Sequence, residues 1–112
     1  MEADSDLSAR DVILSASAAG LAVSVNGIEE RRSWDDVSMV TATIARYGVA
    51  HIFVLALAFD EVRTYVVGEI ESVWAQLVEL LHVHLAGVEP FTSWAPKLLE
   101  HPSVVILFER EI

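Results

Sequence analysis

Glu79 and His82 stand three residues apart in a stretch of helical periodicity, which puts a carboxylate and an imidazole on one side of a turn. A di-iron carboxylate centre uses that spacing, but uses it twice and adds two further glutamates. This chain has it once. His82 and His84 are two apart, so on a helix they point to different sides and cannot share a metal there. The other histidines are His51 and His101, and cysteine is absent, which removes thiol catalysis, disulfides and thiolate-held metals. No metal and no cofactor is expected.

Paired acids occur at Asp35-Asp36, Asp60-Glu61 and Glu69/Glu71. General acid–base work needs a carboxylate held in a cleft with a shifted pKa. Adjacent acids at turns are explained by local bonds to backbone amides. Glu69 and Glu71 flank a helix start, where negative charge is favourable without catalysis. No serine sits in a Gly-x-Ser-x-Gly elbow, and Ser93 beside Trp94 reads as a helix cap. The expectation is therefore no enzyme; a site assembled from distant residues is the least favoured reading. The remaining chemistry is aromatic and acidic. Trp34, Asp35, Asp36, Phe91 and Trp94 are the candidate protein interface, since aromatics at irregular positions anchor interfaces. The rival reading folds the segment from Pro90 to Trp94 back as a lid on the core.

The elements that carry these residues follow from periodicity. Val12 to Ala16 reads as a strand, and Leu21, Val23 and Val25 alternate with Ala22, Ser24 and Asn26. Asn26-Gly27 marks a hairpin turn, and the charged return from Ile28 to Ser33 suits an edge. Trp34 opens a turn into a strand from Met39 to Tyr47. His51 to Phe59 is the most apolar segment, too short for a bilayer helix, and reads as a buried central strand. Arg63 to Gly68 returns from it. Val73, Trp74, Leu77, Val78, Leu81 and Leu85 then recur at helical spacing, which predicts a helix over Ser72 to Ala86 with Ser72 as N-cap and Gly87 past its end. A short helix over Ser93 to Glu100, with Pro96 in its first turn, and a last strand over Val104 to Phe108 complete the chain. The expected fold class is α+β: a strongly bent antiparallel sheet or partly open barrel of six to seven strands, one main amphipathic helix and a short C-terminal helix. Residues 1–11 read as an acidic flexible tail and 12–112 as one domain.

Composition narrows the partners. The 112 residues carry 17 acids against 7 lysines and arginines, a net charge of −10, with Lys97 the only lysine. Nucleic-acid and anionic-membrane binding need clustered positive charge and are not expected. A basic protein partner would be attracted, although net charge also serves solubility. The acidic N-terminus lacks the grammar of a secretory signal, so a cytoplasmic protein is expected. The mean hydropathy of +0.46 leaves apolar groups that a monomer of this size covers with difficulty, which points to a homodimer through a sheet edge or through Phe91 and Trp94.

The order of elements resembles the pleckstrin-homology-like superfold, its bacterial members above all. The resemblance rests on the Asn26-Gly27 turn, the step from Trp34 through Asp35 and Asp36 to Val37, and the late helix centred on Trp74. It covers Val12 to Leu85, and the chain departs from it by adding a segment and a strand after the helix. Members often bind phosphoinositides or peptides. The lipid binders use basic residues around the first hairpin, where this chain has Ser15 to Gly20 without a positive charge, so that function does not carry over. The resemblance implies a non-enzymatic protein-binding module, an adaptor or scaffold. The alternative is an acidic immunity or inhibitor-type protein that neutralises a basic toxin or nuclease.

Overall fold

The computed structural model describes residues 12–59 and 63–110. The tail expected over 1–11 and the Asp60-Glu61 turn lie outside them. β1 (Val12–Ser17), β2 (Gly20–Val25) and β3 (Ile28–Arg32) form one antiparallel sheet in that order. Asn26 and Gly27 adopt φ of 53° and 83°, the pair of left-handed residues that matches strand twist in a two-residue turn. They fix Val25 opposite Ile28. β3 ends the sheet and presents Glu29, Glu30 and Arg31 to solvent, charges that keep an edge from pairing with another chain.

Trp34–Asp36 forms one 3-10 turn rather than an open loop. Ser33 Oγ accepts from the Asp35 amide at 3.1 Å, and Asp36 Oδ2 accepts from the Ser33 amide at 3.2 Å. This reciprocal capping satisfies amides that the turn would otherwise leave bare. The chain then enters the second sheet. Its strands are β4 (Val37–Tyr47), β5 (Ala50–Phe59), β6 (Arg63–Gly68) and β7 (Val105–Glu109), in the order β6-β5-β4-β7, all antiparallel. The described residues thus form an α+β fold with seven strands in two sheets that do not close into a barrel, and two helices, α1 (Trp74–His84) and α2 (Phe91–Glu100). No helix among the described residues is long and apolar enough to cross a membrane.

α1 is shorter at both ends than the apolar spacing predicts. Val73 occupies the N-cap without a side-chain bond, so Ser72 does not cap it. The acids before it work on the backbone. Glu69 Oε1 accepts from the Phe53 amide and Glu71 Oε2 from the Gly68 amide, each at 2.9 Å, which ties off the ladder between β5 and β6 where β6 ends. α2 begins two residues earlier than expected, at Phe91, with Pro90 as N-cap. Ser93 is therefore not the cap; its hydroxyl donates to Glu89 Oε1 at 2.5 Å. Pro96 lies past the first turn, where it has no amide to give to the Thr92 carbonyl. Both residues are exposed, so water can take that place.

One buried cluster joins the two sheets and both helices. The inward residues of the second sheet include Val40, Leu55, Leu57, Tyr65 and Val67, and α1 adds Leu77 and Leu81. An aromatic group closes one side: Phe91 meets Phe53, Trp74 and Trp94 edge-on at 5.3, 6.0 and 5.0 Å between ring centres. The opposite face of the second sheet lies outside this cluster.

Candidate functional site

The strand edges differ in how they are guarded. β3 is charged along its length, whereas β7 reads Val105-Ile106-Leu107-Phe108-Glu109 and pairs only with β4, by its other edge. No described strand lies beyond it. Its outward amides and carbonyls run beside α2, and the two elements bound a groove of about 400 Å³. Val105, Ile106 and Leu107 line its strand side, Trp94 and Leu98 its helix side, with Lys97, Glu89 and His101 among its polar groups. Lys97 Nζ lies 3.5 Å from Glu89 Oε1. The Ser93 hydroxyl first, and then the Lys97 charge, hold the Glu89 carboxyl below the ordinary carboxylate range. Glu89 is thus ionised at neutral pH and its carboxylate is engaged with α2.

The expected interface residues separate. Trp34 and Trp94 are each 6% exposed and belong to the core, so neither indole is a surface anchor. Trp94 sits edge-on against Phe53 and Phe91, where its apolar area is removed from water. Phe91 is half-buried, and this places the segment from Pro90 to Trp94 over the core. A homodimer face built on Phe91 and Trp94 has no exposed indole to use. Asp35 and Asp36 are exposed, on a turn beside Trp34.

Trp34 does something else. Its Nε1 donates to the Ser17 carbonyl at 2.9 Å, and its ring stacks at 5.2 Å and 8° on His84. It ties the β1–β2 turn, the 3-10 turn and the end of α1 together. Trp34→Phe keeps most of the apolar area and loses the bond, so it is expected to cost about 1–2 kcal/mol. Urea unfolding checks this; an unchanged midpoint would show the bond to be immaterial.

His82 is engaged as well. His82 Nδ1 lies 2.9 Å from the Val88 carbonyl, which makes Nδ1 the protonated nitrogen. Glu79, His82, Phe91 and Thr92 line a shallow pocket of about 280 Å³. Among the described residues no group of three or more His, Asp or Glu could hold a metal ion. The chain matches no protein-family model, no curated protein and no solved structure. Sequence reasoning placed a strand over Val104 to Phe108 but did not single it out as an edge of its sheet, which it shares with β6 at the other end. The signal was there: five consecutive apolar residues, Val104 to Phe108, with no charge among them to guard the edge.

Proposed function

We propose that the protein is a non-enzymatic protein-binding module, an adaptor or scaffold that captures an extended, basic segment of a partner along β7. The single observation that carries this reading is the apolar, unguarded edge of β7 beside the α2 groove. An added strand would gain main-chain hydrogen bonds from the edge, and its alternate side chains would enter the groove. The net charge of −10 favours a positive partner, and Glu109 at the end of β7 gives it a local counterpart. The same charge supports the alternative, an immunity or inhibitor-type protein whose basic partner is a toxin or nuclease. The strand-rich first part followed by a helix supports a pleckstrin-homology-like assignment, and the absence of cysteine fits a cytoplasmic site of action.

A display library of random twelve-residue peptides, selected on the full chain, tests the reading. It is expected to return β-branched sequences with Lys or Arg whose binding weakens as salt rises. Ser103→Trp fills the groove from an exposed position and should weaken them about tenfold or more, ~1.4 kcal/mol. Peptides that bind Ser103→Trp undiminished would contradict the reading, as would a selection that returns none.

A further inference from the structure

The sequence from Val49 to Phe59 is nearly continuous in apolar residues, the pattern of a strand covered on both faces. The fold covers one. On β5, Phe53, Leu55, Leu57 and Phe59 are buried, while Ile52, Val54, Ala56 and Ala58 turn the other way and are only half-buried. Directly opposite residues of antiparallel strands share a face. The register therefore sets a row Ile106–Thr41–Ala56–Val66 across all four strands. Thr43 and Val54 follow in the next row, and Ala45 and Ile52 in the one after. Val66 and Ile106, at the two ends of the first row, are 57% and 58% exposed. Both helices direct their buried residues to the opposite side, into the core.

This face excludes charge. The chain has 24 charged residues, 17 acidic and 7 basic, and among the described residues the register brings only Glu109 onto this face, at the corner opposite Met39. Surface that meets only water has no reason to be kept free of charge over four strands, and apolar patches of this kind mark interfaces.

We infer that the outer face of the β6-β5-β4-β7 sheet packs against the same face of a second copy of this chain. Two arguments select a second copy, and the area sets the strength of the pairing. With its single acid at a corner, this face lets two molecules of net charge −10 meet without opposing acids over its centre. Rows of small and β-branched side chains, Ala, Thr and Val, are self-complementary and allow two sheets to approach to about 10 Å. Three strand spacings by about eight residues give roughly 14 by 27 Å per copy. That is about 400 Å² per copy, roughly half the ~800 Å² per partner of a standard interface, so the pairing is a weak, concentration-dependent one. The pairing shares Ile106 of β7 with the groove beside α2, while Val54 and Ala56 at its centre do not line that groove. It also differs from the edge pairing and the Phe91–Trp94 face expected from sequence.

Sedimentation equilibrium of the full chain over a wide concentration range, at low and high salt, tests the pairing. The expected result is a monomer–dimer equilibrium that tightens as salt screens the acids outside the face. Val54→Glu places a charge at the centre of the face and should weaken the dimer about a hundredfold or more. Ile28→Glu, at an exposed apolar site on β3 outside this face, should leave it unchanged. Far-UV circular dichroism and thermal melting verify that the variants fold, and Ala56→Lys replaces Val54→Glu if that variant does not. A monomer mass at high concentration in both salts overturns the inference. So does a dimer that survives the charge in a folded variant, which would assign pairing to another surface.

Discussion

Replacing Trp74 by alanine is expected to cost about 3–5 kcal/mol, the range for large aromatics removed from cores. Trp74 opens α1 and is 7% exposed. It meets Phe91 edge-on at 6.0 Å, and Phe91 in turn holds Phe53 and Trp94. Truncation therefore empties the point where α1, α2 and β5 join. α1 has no side-chain cap to compensate. With total stabilities of domains near 5–15 kcal/mol, a loss of this size takes a large share. Chemical denaturation of Trp74→Ala against the parent measures it. A midpoint within experimental error of the parent would remove Trp74 from the core.

Gly20→Ala is expected to cost about 2–5 kcal/mol, although it adds a single carbon. Gly20 begins β2 with φ of 142°, a conformation that side chains with a Cβ rarely adopt. A Cβ there would also stand 2.3 Å from the Arg32 carbonyl oxygen, a backbone atom on the paired strand that cannot swing aside. Gly48 supplies the control. It also has positive φ, 64°, but a Cβ would meet nothing within 4 Å, so Gly48→Ala should cost only about 1–2 kcal/mol of backbone strain. The difference between the two variants isolates the close approach of β2 and β3. Equal losses would mean that backbone strain alone governs Gly20.

The local grammar of the chain was legible. Asn26-Gly27 specifies its turn by conformation alone, and the alternation of Leu21, Val23 and Val25 places β2 without reference to anything distant. The helix period from Trp74 to Leu81 is equally local. What lay beyond reading were choices made at long range. β7 pairs with β4 across more than sixty residues, and nothing in its sequence distinguishes β4 from β6 as the neighbour. Ser72 and Ser93 have the chemistry of caps, yet neither caps its helix: Val73 and Pro90 occupy those positions. Trp34 and Trp94 sit in irregular sequence, where aromatics can face either way; the bond to Ser17 and the packing on Phe53 turn both inward. The apolar run of β5 correctly marked a central strand, but a monomer covers only one of its faces. The candidate groove has the same origin as the β7 pairing, since it exists only because β7 ends the sheet next to α2.

Hydrogen–deuterium exchange with and without a selected basic peptide tests the claim of strand capture most directly. Added main-chain bonds slow the exchange of the amides they engage, so the amides of Val105 to Glu109 that face away from β4 should become protected when peptide binds. Those of β3, which its charges guard, should not change. Protection confined to another surface, or binding that leaves every β7 amide exchanging as before, would contradict capture along β7.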